Sequence, residues 1–307
     1  MFSHNGLLFL HAVTSIHAGS GSELGLVDLP IQREKHTGYP KLESSSLKGA
    51  IRATVQATVD KTPNAFRMQE VFGKESEKGQ NDAQAGAIAF SDARILLFPV
   101  KSLRGVFAWI TCPQVLKRFN EEMKLYRPAS LPLTIPPVSN ISNGNEVICS
   151  VSANTLIVNP QVGKKQVVLE EYTYSVQVTE ECKTLAKQLE EMIFNGVDNG
   201  FGDRLIVLPD NDFSDFVTLS TEVNARIRID PSTGTVQAGA LWYEENVPPE
   251  TVFYSYCFAG NSRIPNQEIM KAEEVLNFLM QAETFPPCFQ LGGSSSLGKG
   301  ILRRIWQ

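Results

Sequence analysis

The sequence predicts an α+β fold organised around a ferredoxin-like βαββαβ arrangement, and three observations carry that prediction. Leu47, Ile51, Val55 and Val59 recur every four positions, the spacing of a buried helical stripe. A strand-like apolar run at residues 7–13 precedes that helix, and AIAFSDARILLFPV and VFAWIT follow it as strands rich in aromatic and β-branched residues. Strand, helix, strand, strand is half of such a unit. The last third of the chain reads hairpin, strand, helix, strand, which suggests a second, divergent half.

The elements follow in chain order. The first strand empties into a long stretch, residues 14–43, punctuated by Gly19, Gly21, Gly25, Pro30 and Gly38. A connector of that length is a candidate functional loop. Ser44, Ser45 or Ser46 can N-cap the helix that comes next. Residues 61–86, with the run KESEKGQNDAQAG, read as a polar, partly helical insertion. Residues 127–163 turn rich in Pro, Ser and Asn and predict an excursion from the main domain. VVLEEYTYSVQV reads as one strand, residues 180–194 as an amphipathic helix, and DRLIVLPD as a short buried strand. VNARIRID and TVQAGALWYEE flank PSTG, a turn sequence with Gly234 near its end, and predict a β-hairpin on which Arg226 and Arg228 share one face.

Composition narrows the function. With 307 residues, 42% of them hydrophobic, the chain can build a core without staples. The five cysteines, Cys112, Cys149, Cys182, Cys257 and Cys288, are far apart and form no CxxC pair, so reduced, mostly buried thiols are expected. A net charge of −5 argues against nonspecific polyanion binding, so any nucleic-acid site must be local. The N-terminus MFSHNGLLFLHAV lacks a basic n-region, and no segment approaches the roughly 20 apolar residues of a membrane span. A cytoplasmic protein with no membrane partner is expected.

Usable chemistry is densest in HAGSGSELGLVDLPIQREKHTGYP, which holds His17, Asp28, Arg33, Glu34, Lys35 and His36. For His17 the plain alternative is a structural hydrogen bond, and for Asp28 the start of a turn. SSSLKGAIRATV offers the hydroxyls of Ser45 and Ser46, a helix N-terminus, Lys48 and Arg52, a set suited to a backbone phosphate or to a capped, partly exposed helix. Trp242 and Tyr243, followed by Glu244 and Glu245, combine stacking surface with carboxylates, though such aromatics also serve as core or interface residues. LGGSSSLGKG carries GxxxxGK, but Gly300 stands where Mg²⁺ coordination needs Ser or Thr, and only seven residues follow. Nucleotide hydrolysis is thereby excluded. What survives is a run of unhindered backbone N–H groups at Gly292, Gly293 and Ser294, with Lys299 as a point charge, or else a flexible glycine turn. No His/Cys cluster or calcium loop marks a fixed metal site.

Taken together, HAGSG with VDLPIQREKHTGYP, SSLKG, ARIRID with TGTV and ALWYEE, and LGGSSSLGKG resemble the RAMP superfamily, and within it the backbone subunits of type III-B (Cmr) CRISPR effectors. The resemblance runs through nearly the whole chain. It implies a single domain over residues 1–307: a ferredoxin-like (RRM-like) palm at about 1–60, 87–122, 166–220 and 250–307, finger elements in insertions 61–86 and 123–165, and a β-hairpin thumb at 221–245. It further implies that several copies stack along a guide CRISPR RNA, beside the other subunits of a Cmr complex. The thumb then distorts the guide–target duplex at regular intervals and the target RNA is cut.

In that reading the protein is an endoribonuclease whose cleavage rests on Asp28, with Glu244 as second participant. His17, Ser45, Ser46, Lys48, Arg52, Arg226, Arg228, Trp242, Gly292, Gly293, Ser294 and Lys299 form the expected RNA-binding set. An ordinary aspartate, with a pKa of about 3.9, is a poor general base at pH 7. Asp28 is therefore expected to orient the ribose 2′-OH or to recruit a transient Mg²⁺ or other divalent cation, with no tightly bound cofactor. Two rivals stay open: a non-catalytic scaffold that binds the guide, and an endoribonuclease that matures the guide precursor with His17 or His36 as acid and base.

Overall fold

The computed structural model describes residues 2–22, 25–74, 83–137, 146–150, 155–158, 165–197, 199–263 and 269–307. The chain opens with β1 (His4–Ala12), β2 (Lys41–Leu42), α1 (Ser44–Val59), α2 (Arg67–Phe72) and the short pair β3 (Gly73–Lys74) and β4 (Gln84–Ala85). Then come β5 (Ile88–Phe90), β6 (Ala93–Lys101), β7 (Phe107–Thr111), α3 (Pro113–Tyr126), β8 (Glu146–Ser150), β9 (Gln166–Leu169), β10 (Tyr172–Thr179) and α4 (Glu180–Phe194). β11 (Leu205–Val207) and α5 (Asp210–Leu219) precede the hairpin β12 (Glu222–Ile229) and β13 (Val236–Asn246). β14 (Val252–Ala259), α6 (Ala272–Met280), β15 (Cys288–Gln290) and β16 (Ile301–Trp306) complete the chain.

This is a mixed α/β protein dominated by one twelve-stranded sheet, ordered β15-β16-β1-β14-β6-β7-β11-β8-β10-β9, with β2 on β6 and β5 on β14. β1 pairs antiparallel with β14 and β16, so the N-terminal strand is completed by the far end of the chain. Its residues alternate between two helical layers. Phe9 meets Phe119 of α3 with ring centroids 6.0 Å apart. Gly6, on the opposite face, lies under α6, where a Cβ would come within 3.2 Å of Leu276 and the Trp306 ring. The same core continues to where Trp109 of β7 meets Phe107, Phe194 and Phe201.

The helical periodicity is realised. Leu47, Ile51, Val55 and Val59 are all buried on α1, each worth roughly 1.5–3 kcal/mol of apolar burial. The N-cap is a correction. Glu43 occupies it without a side-chain bond, and the Ser44 N–H donates instead to Asp92 Oδ1 at 2.9 Å. α3 is closed in the same way, its Gln114 N–H donating to Asp210 Oδ1 at 2.9 Å. α4 takes the bounds its sequence predicts because local chemistry closes both ends: Thr179 accepts the Cys182 N–H, and Asn195 adopts the left-handed conformation at φ 53°.

VVLEEYTYSVQV is not one strand but the antiparallel pair β9 and β10, reversed at Glu170, whose φ is +50°. Period-two alternation continues across so tight a turn, which hides the break. Helices α3 and α5 go unread in the sequence. Of the expected insertions, residues 75–82, 138–145, 151–154 and 159–164 lie outside the described residues. No helix among the described residues is long and apolar enough to cross a membrane.

Candidate nucleic-acid and catalytic site

The hairpin of β12 and β13 forms its own two-stranded sheet, turning at the predicted PSTG. Gly234 takes φ +68°, and Asp230 accepts the Ser232 N–H and hydroxyl, fixing the turn. Arg226 pairs with Trp242, and Asn224 with Glu244. Opposed antiparallel residues share a face, so Arg226, Trp242 and Glu244 lie together, while Tyr243 and Glu245 point the other way.

The two consecutive glutamates therefore fasten different loops. Glu244 Oε1 accepts from Lys299 Nζ at 2.7 Å and Arg226 Nη2 at 3.3 Å, and Oε2 accepts the Ser294 hydroxyl at 3.3 Å. Lys299 also reaches Asn246 Oδ1 at 2.7 Å. Burial works to raise the Glu244 carboxyl, but hydrogen bonds from Lys299 and Arg226, with the charges of Lys299 and His17, hold it down at about 2. Glu245, also buried, accepts the Ile31 N–H at 3.1 Å on Oε2 and the Thr221 hydroxyl at 2.7 Å on Oε1, which Arg33 Nη2 also reaches. Arg33 further donates to the carbonyls of Gly38 and Val217.

Asp28 is drawn to the same strand. Leu29 makes a parallel bridge to Glu244, with the Leu29 N–H on the Tyr243 carbonyl and the Glu245 N–H on the Leu29 carbonyl, both at 3.0 Å. Asp28 Oδ2 accepts the Tyr243 N–H at 2.7 Å. Among the described residues Oδ1 has no partner, leaving one carboxylate oxygen of a half-exposed side chain for a ligand.

His17 completes the group. Its Nδ1 lies 2.7 Å from the Glu245 carbonyl, which can only accept, so Nδ1 carries a proton. The C-terminal glycines pack on its backbone: the Gly293 N–H donates to the His17 carbonyl at 2.8 Å. A Cβ on Gly292, at φ +96°, would fall 2.4 Å from that carbonyl. The glycine loop thus uses its lack of side chains to approach protein.

The structure brings His17, Asp28, Arg226, Trp242, Glu244, Gly292, Gly293, Ser294 and Lys299 to the base of the hairpin. Ser46 joins through Gln32, whose amide bonds Ser46 Oγ, the Gly19 carbonyl and the Glu43 N–H. Ser45 is exposed on α1 and Arg228 is exposed farther along β12. Lys48 turns back to the sheet, donating to the Ile88 carbonyl at 3.0 Å, and burial, then the Arg52 charge, lowers its pKa. Arg52 is half-buried beside it. Asn246, Gln32 and Thr221 are absent from the sequence-based set. Asn246 alone carried a signal, a residue type depleted in strands and placed after two carboxylates.

The RAMP superfamily profile matches residues 9–303. The chain belongs to the RAMP superfamily. It is 36% identical over 299 residues to the CRISPR system Cmr endoribonuclease Cmr4 of Pyrococcus furiosus, covering 97% of this chain and 94% of that one. To the CRISPR system CMR subunit Cmr4 of Saccharolobus solfataricus it is 27% identical over 311 residues, covering 97% and 95%. Among solved structures, oligomeric Cmr4 from Pyrococcus furiosus superposes with a TM-score of 0.70 at 27% identity, covering 99% of this chain and 98% of that one. The type III-B Cmr-beta complex bound to cognate target RNA gives 0.72 at 24% identity and the same coverage, a likeness of fold.

Within this RAMP chain the loop's Glu34, a buried acid, is a fastener. It accepts from Thr37 at 2.7 Å and from Arg118 at 2.8 Å, with Arg94 Nε 3.7 Å away. Burial raises its carboxyl, and those partners bring it below the usual range. His36 stands with Glu34, 4.0 Å from its carboxylate, while His17 sits on Glu245. No three or more His, Cys, Asp or Glu side chains gather among the described residues as a metal cage would require.

Proposed function

We propose that this chain is the repeated backbone subunit of an RNA-guided type III-B CRISPR effector, and that it cuts guide-bound target RNA at the base of its hairpin. One observation carries the reading: Asp28 is clamped by the Tyr243 N–H on one oxygen and keeps the other without a partner among the described residues, on the stretch of backbone that bridges to Glu244 and next to the strand whose Glu245 carbonyl holds His17. The 36% identity to a protein named as a Cmr endoribonuclease supports it over almost the full chain. Its partners are the guide CRISPR RNA, target RNA, neighbouring copies and other Cmr subunits, in the cytoplasm.

The fold supports the same reading. The antiparallel run β16-β1-β14-β6, with α1 and α6 as crossovers, has the strand order of a ferredoxin-like palm, and the hairpin at 221–245 stands off it as a thumb. The RNA-facing set is His17, Ser45, Ser46, Arg52, Arg226, Arg228, Trp242, Gly292, Gly293 and Ser294. Lys48 and Lys299, whose ammonium groups already have protein acceptors, act through the segments they hold.

Cleavage needs a ribose 2′-OH in line with its own phosphorus. The 2′-oxygen attacks phosphorus as its proton passes to water, the bond to the 5′-oxygen breaks, that oxygen takes a proton from water, and the products are a 2′,3′-cyclic phosphate and a 5′-hydroxyl. The free Asp28 oxygen accepts a hydrogen bond from the 2′-OH and orients it, and His17, held through Nδ1 by the Glu245 carbonyl, is the histidine of the RNA-facing set. Positioning of this kind supplies several kcal/mol of the barrier. Among the described residues no three His, Cys, Asp or Glu side chains gather to cage a divalent cation, and the free Asp28 oxygen is the group that would recruit one transiently.

The test is target-RNA cleavage by the reconstituted complex with Asp28→Ala beside wild type. Lost cleavage with retained target binding supports the nuclease. Unaltered cleavage assigns the chain to a non-catalytic scaffold.

A further inference from the structure

We propose that Glu245 is the positioning residue for Asp28: its buried carboxylate sets where the Asp28 loop lies on the hairpin, and so sets the rate of cleavage without touching RNA. The inference rests on the nuclease reading above and names a residue to which that reading gives no role.

The geometry is specific. Asp28 and Leu29 lie along the edge of β13, aligned by backbone pairing between Leu29 and residues 243–245. Towards the hairpin that pairing is a single isolated bridge, while two further backbone bonds of the loop, the Ser20 N–H to the Pro30 carbonyl and the Gln32 N–H to the Ala18 carbonyl, run to the His17 segment. Glu245 supplies what the bridge lacks. Its Oε2 takes the Ile31 N–H two residues beyond Leu29, and its Oε1 takes Arg33 two residues further and Thr221 at the start of the hairpin. One side chain thus anchors the loop to the hairpin from the face opposite Glu244, joining Ile31 and Arg33 to Thr221. Its own carbonyl also holds His17 Nδ1, so one residue fixes the approach of both candidate groups.

Chemistry separates this role from that of Glu244. Glu245 is 6% exposed, and each oxygen is already engaged by protein donors. It can neither receive a proton from a ribose nor hold a cation, yet shifting it displaces Asp28. Misplacement by about 1 Å costs on the order of 100-fold in rate.

The experiment compares single-turnover cleavage and target affinity of guide-loaded complexes carrying Glu245→Ala, Glu245→Gln, Asp28→Ala and the double variant Asp28→Ala/Glu245→Ala. Glu245→Ala is expected to slow cleavage about 10- to 100-fold with target affinity within about twofold. Glu245→Gln, whose single amide oxygen can accept from Ile31 or from Thr221 and Arg33 but not from both sides, should recover part of the rate. The double variant should be no slower than Asp28→Ala, because a residue acting through another adds nothing once that residue is gone. Wild-type cleavage by Glu245→Ala, or further slowing in the double variant, overturns the proposal. If Glu245→Ala does not assemble on guide RNA, Glu245→Gln decides: a loss of rate at constant affinity supports it, and an unchanged rate overturns it. If Asp28→Ala itself cleaves normally, it is the nuclease reading that fails.

Discussion

Asp28 Oδ2 accepts the backbone N–H of Tyr243 at 2.7 Å, joining two residues separated by most of the chain and leaving the second carboxylate oxygen without a partner among the described residues. An amide at position 28 can keep the first bond while removing the charge. Asp28→Asn should therefore preserve the loop and target affinity yet lower single-turnover cleavage by about 100-fold or more. The wild-type 5′ fragment should end in a 2′,3′-cyclic phosphate, which end-group analysis detects, and a 5′-phosphate on the downstream fragment would exclude attack by the 2′-OH.

Glu244 predicts an acid limit. Its folded carboxyl is held at about 2, below the ordinary value of 4.5, so the Lys299–Glu244 pair contributes fully above about pH 4.5. That contribution is lost as pH falls from there towards 2. Melting temperatures over this range should fall more steeply for wild type than for Glu244→Gln, and parallel curves would remove Glu244 from the titration.

Lys299 and Arg228 should separate stability from RNA contact. Lys299 is largely buried and bonded to Glu244 and Asn246. Lys299→Met leaves a buried carboxylate partly unpaired and should cost about 3–5 kcal/mol in denaturant unfolding, with little change in the salt dependence of guide binding. Exposed Arg228 should behave oppositely, Arg228→Gln lowering the salt slope by about 1 at unchanged stability. Titrations at several salt concentrations distinguish the two.

The cap of α1 comes from outside the helix. Asp92 takes the Ser44 N–H and also pairs with Lys41 at 3.0 Å. Asp92→Ala should lower stability by about 1 kcal/mol, whereas Ser44→Ala should change it little. Denaturant midpoints for the two variants test this, and equal effects would return the cap to Ser44.

By itself the sequence determined whatever depends on local geometry. The stripe Leu47, Ile51, Val55, Val59 defined α1, Thr179 and Asn195 bounded α4, and PSTG placed the hairpin turn, because each signal lies within a few residues of the backbone it governs. The resemblance carried by the VDLPI, SSLKG, WYEE and glycine-loop segments reached further and placed the chain in its family. Tertiary structure alone decided which groups meet. Neighbouring glutamates with the same side chain were separated by the strand pleat, Glu244 to Lys299 and Glu245 to Arg33. Lys48 turned to the Ile88 carbonyl, Asp92 displaced three serines as the cap of α1, and the glycine loop closed on His17. Each of these outcomes depends on strand pairing across most of the chain, where the partner of a donor or carboxylate is set by which distant backbone the sheet brings beside it.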